Sequence, residues 1–253
     1  MKSPDKIIVF DDLTDEIKLC FVNIPLIAEY FFLDVDISKL SVLPNLVPDE
    51  DNLNKYFAQS EIEKILSFKT LKRQVEKMSG SIALKFLIKK YIGSQNNTLY
   101  GNVLDFEKEQ QVFSSIVTSN YESGCPFVVG VEEFSVSVSH SFDMAVAALS
   151  LNPKVNVGVD LEFLRSFEIE NILKVVFSNR ERDFYKDKSV EEVMRAFCFK
   201  EAYLKYIRKG FSENPSSVEL IDGDVFFKKE LVLDVQWVFR SIGAGYVLGA
   251  VWG

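Results

Sequence analysis

Histidine, cysteine and long apolar runs are all scarce in this chain of 253 residues, which holds one histidine, three cysteines and no hydrophobic stretch near the roughly 20 residues that span a bilayer. Each scarcity excludes something. With His140 alone, no histidine cluster is available for zinc. Cys20, Cys125 and Cys198 are too far apart for a CxxC site and odd in number for a disulfide framework, so reduced thiols without a chemical role are expected. Positive charge is also short: 29 Lys and Arg against 37 Asp and Glu leave a net charge of -8, the wrong sign for a nucleic-acid partner. The N-terminal MKSPDKIIVFDD has no apolar stretch of signal-peptide length, so the chain reads as a cytoplasmic protein with no membrane partner.

What remains is ordinary globular material, 47% hydrophobic, enough for a sizeable core or two small ones. Lys6 to Ile24 reads as two short strands around DDLTDE, and Ser38 to Asn54 as irregular chain with prolines at 44 and 48. From Ser60 a capping box with Glu63 opens a helical pattern that runs to Gly93, as one long helix or two joined ones. Residues 94–130 are poor in helical period. FSVSVSHS alternates like a half-buried strand, MAVAALSL follows as its hairpin partner, and VNVGVDLEF is a further strand. Capping boxes at Ser178 with Glu181 and Ser189 with Glu192 announce two helices, the second running to Gly210. VELIDGDVFF, LVLDVQWVFR and YVLGAVWG then read as an antiparallel sheet with a first turn at Asp222-Gly223.

The halves echo one another. FAQSEIEKI and KFLIKKYIG in the first resemble FSNRERDFY and AYLKYIRKG in the second, which implies an internal duplication with its join at Asn152-Pro153. The expected architecture is α+β: an N-terminal lobe over 1-152 and a C-terminal lobe over 153-253, pseudo-twofold related, each a long helix on a small antiparallel sheet. A cleft between the lobes is the natural place for a site.

Three acids draw attention there. Asp160 and Glu162 are two apart on a strand and so share a face, and Glu201 comes about forty residues later on the last long helix. Oxygen-only ligands of this kind suit Mg²⁺, which keeps several waters and is completed by substrate phosphates. Glu201 and Lys205 form an i,i+4 pair along the edge of that helix's apolar stripe. Lys200 falls near the stripe's centre, where an ammonium must snorkel, find a carboxylate or meet a bound phosphate. His140 stands at a strand end between Ser139 and Ser141, where a polar edge can present donors to an anion. Taken singly, each feature has a bland reading as solvated surface, helix decoration or structural histidine.

Taken in order, SVSVSHS, VGVDLE, FSNRERDF and FCFKEAYLK resemble the 4'-phosphopantetheinyl transferase superfamily, with a Gly-hydrophobic-Asp-x-Glu strand followed by an aromatic-x-x-Lys-Glu-Ala-x-x-Lys helix. KRQVEKM from Lys72 resembles that family's first half, and the likeness covers roughly 55 to 253, nearest its two-lobed surfactin type. The resemblance implies coenzyme A bound between the lobes, Mg²⁺ held at Asp160, Glu162 and Glu201, and phosphopantetheine moved to a serine of an apo acyl or peptidyl carrier protein by a monomer. By that match Lys205 contacts the phosphates, His140 with Ser139 holds the nucleotide end, and the base is Glu201 or a metal-bound water. The chain departs from the family at Cys125, where a lysine is usual, at Ser81, where a basic residue is usual, and at Phe142 and Phe197. Lys72, Arg73, Lys77 and Lys85 stand as replacement cations for coenzyme A. A hydrolytic or phosphoryl-transfer enzyme acting on a nucleotide, and a degenerate homologue that binds coenzyme A or a carrier without turnover, are the competing expectations.

Overall fold

In the computed structural model the residues described are 8–32, 35–93, 113–164, 169–209, 212–243 and 245–253, so the expectations for Lys6, for 94–112 and for Gly210 fall outside them. The apolar runs near the N-terminus form β1 (Ile8–Asp12) and β2 (Ile17–Asn23). Two edge segments, β3 (Thr118–Asn120) and β4 (Pro126–Val128), pair with each other, and β5 (Val136–Ser141) and β6 (Met144–Ser150) make the expected hairpin. The first sheet has the order β1-β2-β6-β5. The second half supplies β7 (Val157–Phe163), β8 (Val218–Ile221), β9 (Asp224–Phe227), β10 (Glu230–Val232), β11 (Gln236–Ile242) and β12 (Tyr246–Trp252). These do not form the single sheet that the sequence suggests. β11-β12-β7 make one sheet and β10-β9-β8 another, because the chain leaves the strand conformation between Val232 and Gln236. Asp222 and Gly223 both have positive φ (54° and 88°), as a type I′ hairpin turn requires.

The expected run from Ser60 is two helices, α3 (Gln59–Leu66) and α4 (Leu71–Leu87), preceded by α1 (Ile24–Phe31), which the sequence reading left out, and by α2 (Glu50–Tyr56), which begins inside the segment from Ser38 to Asn54 expected to be irregular. Asn23 and Asp49 cap α1 and α2 with side-chain oxygens, so both starts carried a signal. The cap of α3 is out of phase with the Ser60–Glu63 box: Glu61 reaches back to the Ala58 N–H. Thr70 restarts the chain as α4, whose end widens into a π turn over Ile88–Ile92. Beyond the amphipathic α5 (Ile169–Val176), α6 (Asn179–Tyr185) and α7 (Val190–Tyr206) begin on the predicted boxes at Ser178 and Ser189.

The β1-β2-β6-β5 and β11-β12-β7 sheets each carry a long helix on one face. Val75, Met78 and Ile82 of α4 pack in one core with Cys20 and Val22 of β2, and α7 lies on β7 and β12. The α7 contact is so close that a Cβ at Gly158 would come 2.0 Å from the Ala202 carbonyl oxygen, which is why VGVDLE needs its glycine. The opposite faces of the two sheets meet in a shared core of Ile17, Leu19, Val146, Ala148, Val159, Leu161 and Leu248.

At the seam, β5 runs beside β7 without a backbone ladder, and serine hydroxyls take its place. Ser135 and Ser137 accept from the N–H groups of Val157 and Val159 (3.0 Å each), and Ser141 accepts from Phe163 (3.1 Å). The alternation in FSVSVSHS therefore has a buried polar face: Ser135, Ser137 and Ser139 are all buried.

The duplication is visible in a repeated buried ion pair. In the first half Glu61 accepts from Lys85 (2.6 Å) and from Thr118, while Lys85 also donates to the Phe113 carbonyl and lies over the Phe57 ring. In the second half Glu181 accepts from Lys200 and from the Leu220 N–H, while Lys200 donates to the Val218 carbonyl and lies over Phe177. FAQSEIEKI and FSNRERDFY are matched correctly by the sequence. The helix match is shifted by two: Lys85 corresponds to Lys200, so KFLIKKYI sits with KEAYLKYI.

Candidate functional site

Strand geometry places Asp160 and Glu162 of β7 on the face that meets α7, and α7 brings Glu201 and Lys205 to the same place. Together with Ser139, His140, Arg73, Cys125 and Arg208 they line a cavity of about 390 Å³. Lys205 is the hub. Its ammonium donates to Asp160 Oδ1 (2.7 Å), to Ser139 Oγ (3.0 Å) and to the Val159 carbonyl (3.1 Å). Ser139 also donates to Asp160 Oδ1 (2.7 Å), and Ser141 donates to Glu162 Oε2 (2.9 Å). The seam serines thus fix both strand acids.

Asp160 is 4% exposed, and its second oxygen, Oδ2, is buried with no hydrogen-bond partner. That is an acceptor held ready for a ligand, since an unmet buried carboxylate oxygen is costly. Burial, with Asp160 adding repulsion, pushes the Glu162 carboxyl up to about 7, and burial and Asp160 also raise Glu201. Among the described residues no three of His, Cys, Asp and Glu stand at the spacing of a ready-made metal cage. The donor set still fits Mg²⁺: an orphaned carboxylate oxygen and two reluctant acids around one cavity suit a cation completed by water and phosphate.

On the other side of the cavity lies a group the sequence reading missed. Glu76, 6% exposed, faces Arg73 (3.4 Å), His140 Nδ1 (3.7 Å) and Lys72 (3.8 Å). Its spacing from Lys72 and Arg73 in α4 was the available signal. Burial lowers the His140 pKa and Glu76 opposes that. Arg73 and His140 line two further recesses, one of about 490 Å³ with Lys72, Phe142 and Phe163, the other of about 240 Å³ with Lys77, Ser81, Thr118 and Asn120.

Two predicted cations are not at the site. Lys200, expected toward the cofactor, is fully buried against Glu181 and Phe177, the carboxylate solution to its place in the stripe. Lys85 is equally enclosed against Glu61. Cys20 and Cys198 are buried, whereas Cys125 reaches the cavity wall.

Residues 156–251 match the model of the 4'-phosphopantetheinyl transferase superfamily. The C-terminal part of the chain is thus similar to that superfamily. The match begins just before β7 and ends within β12, so it contains Asp160, Glu162, Glu201 and Lys205, while Ser139, His140, Lys72 and Arg73 lie upstream of it. That similarity supports phosphopantetheinyl transfer in general. No curated protein matches the chain. Among the described residues no helix is long and apolar enough to cross a membrane.

Proposed function

We propose that the protein is a Mg²⁺-dependent 4'-phosphopantetheinyl transferase that moves phosphopantetheine from coenzyme A to a serine of an apo acyl or peptidyl carrier protein, releasing 3',5'-ADP. The observation that carries this reading is the cavity where Asp160, with its unpartnered Oδ2, meets Glu162, Glu201 and Lys205. Mg²⁺ held by Asp160, Glu162 and Glu201 would neutralise charge on the pyrophosphate and on the leaving nucleotide.

The remaining work falls to the chain's own groups. Glu201 takes the proton of the carrier serine, its basicity raised by burial beside Asp160. Lys205, held by Asp160 and Ser139, presents an ammonium to the phosphates along the Val159 edge of β7. Arg73, Lys72 and His140 line the opposite wall, where the nucleotide lies. The cavity walls, drawn from 1-152 on one side and 153-253 on the other, align donor and hydroxyl for in-line attack. The reading extends to a monomeric cytoplasmic enzyme, since one chain supplies both walls.

The test is incubation with coenzyme A, Mg²⁺ and a panel of apo-carriers, followed by carrier mass. Modified carrier with 3',5'-ADP is expected; no adduct on any carrier would sink the reading, and a different nucleotide product would point to phosphoryl transfer or hydrolysis instead. A second reading, a homologue that binds coenzyme A or a carrier without turnover, is favoured by one observation: neutral Ser81 and Cys125 bring no charge to the donor side. Calorimetric binding without turnover would establish it.

A further inference from the structure

The wall of the cavity opposite the acids is not built as a phosphate site. Its two cations already have a counter-ion of their own, because the Glu76 carboxylate sits by Lys72 (3.8 Å) and Arg73 (3.4 Å), with His140 Nδ1 at 3.7 Å. Glu76 is 6% exposed, sits within α4 and lines both adjoining recesses, so its charge stays on this wall. The other groups on the adjoining recess are mostly neutral: Ser81, Thr118, Ser119 and Asn120 line it with Arg73 and Lys77, and Lys77 is turned to the Asn120 amide oxygen (3.4 Å). Cys125, on the main cavity, adds no charge.

An acid and a row of hydroxyls recognise a different partner from a cluster of free cations. A carboxylate accepts hydrogen bonds from a sugar hydroxyl, whereas a phosphate placed there brings like charge against it; dinucleotide sites make the same choice between an acidic residue for a free ribose hydroxyl and an arginine for a phosphorylated one. We propose that, on the transferase reading above, the Glu76 recess receives an unphosphorylated ribose hydroxyl, so that the enzyme uses 3'-dephospho-coenzyme A at least as well as coenzyme A. The transfer is otherwise unchanged: the serine Oγ–P bond forms, the P–O bond to the nucleotide's 5'-phosphate breaks, and the serine proton goes to Glu201. With the dephospho donor the leaving group is AMP in place of 3',5'-ADP.

The experiment compares kcat/KM for the two donors with one apo-carrier and Mg²⁺, using purified full-length protein and product nucleotide as readout. The wild type is expected to use 3'-dephospho-coenzyme A no less efficiently than coenzyme A, and Glu76→Gln is expected to move the ratio about tenfold toward coenzyme A by removing the like charge. A wild-type preference of about tenfold or more for coenzyme A would overturn the proposal. Because the wild-type ratio needs no variant, misfolding of Glu76→Gln leaves the decision intact. An unchanged ratio in a folded Glu76→Gln would remove Glu76 from the recognition and overturn it too. Turnover of neither donor is a distinct result that removes the transferase reading and the proposal with it.

Discussion

The two halves of the molecule share a scaffold and differ in what they place on it. Both bury a lysine against a glutamate that also caps the short helix before the long one, and both set that lysine over a phenylalanine. Past that point they diverge. The residue after Lys200 is Glu201, whereas the residue after Lys85 is Phe86; on the strand beneath the long helix, Asp160 and Glu162 in the second half face α7, whereas Cys20 and Val22 in the first half face α4. Only the fifth residue on remains cationic in both, as Lys90 and Lys205. The fold therefore depends on the repeated ion pair, and the acids are an addition to one copy. A residue's effect should follow which of these sets it belongs to.

The largest effects on stability are expected at the shared pairs. Lys85→Met and Lys200→Met each strand a buried carboxylate, and each should cost about 3–5 kcal/mol in urea unfolding. Replacing both partners, as in Lys200→Met with Glu181→Leu, should recover most of that loss, because the desolvation cost of both charges goes with them. At a temperature where both single variants stay folded, Lys200→Met should also depress transfer through its neighbour Glu201, and Lys85→Met should not. Equal loss of activity in both would mean that the halves are not separable in this way.

Next come the acids that only one half has. Asp160→Ala should lower carrier modification by about 10²–10³-fold, with the melting temperature of the metal-free protein nearly unchanged, because it also removes repulsion on Glu162 and Glu201. The matching change in the other half, Cys20→Ala, should do the reverse: a modest stability loss from a buried site and normal transfer. A collapse of the metal-free Asp160→Ala fold would show that the acid is structural.

The acid cluster also sets a pH dependence of its own. Glu162 holds its proton up to about 7 against an ordinary 4.5, so between those values the folded, metal-free protein binds more protons than the unfolded chain. Its contribution is present below about 4.5 and lost as pH rises through about 7, by up to about 2 kcal/mol after allowance for solvent screening. Glu162→Gln should remove that slope, measured as the difference in melting temperature between variant and wild type across pH 5–8. Mg²⁺ should raise the melting temperature more at pH 8 than at pH 5, since it takes the place of that proton. An Mg²⁺ effect independent of pH would detach the metal from Glu162.

Much of this site was legible in the sequence, for a physical reason. A strand repeats every two residues and a helix every 3.6, so Asp160, Glu162, Glu201 and Lys205 could be placed on facing elements without knowing the packing. The serines could not. Ser135 and Ser137 meet N–H groups of β7 and Ser139 meets Asp160 and Lys205, all far along the chain, so alternation read them as solvated when all three are buried. The place of Lys200 in the stripe calls for a carboxylate, a bound phosphate or solvent, and the sequence does not choose between them or name the acid, because Glu181 lies on another helix and only folding brings the two together. Glu76 went unremarked, because its i,i+4 and i,i+3 spacing from Lys72 and Arg73 is that of an ordinary helix pair; that it sits within reach of His140 is a tertiary fact. Short helices such as α1 and α2 escaped because their periodicity is brief, although their caps at Asn23 and Asp49 were readable.

The smallest effect is the sharpest check on the comparison. Lys90 holds the position in the first half that Lys205 holds in the second; its ammonium lies over the rings of Phe10 (3.9 Å) and Tyr91 (5.0 Å), whereas that of Lys205 donates to Asp160. Lys90→Met should therefore cost only about 0.5–1 kcal/mol of stability and leave transfer within error of wild type, while Lys205→Met, which leaves Asp160 without its cation, should reduce transfer at least about tenfold. If Lys90→Met lowered transfer while the fold held, the first half would have kept a share of the chemistry.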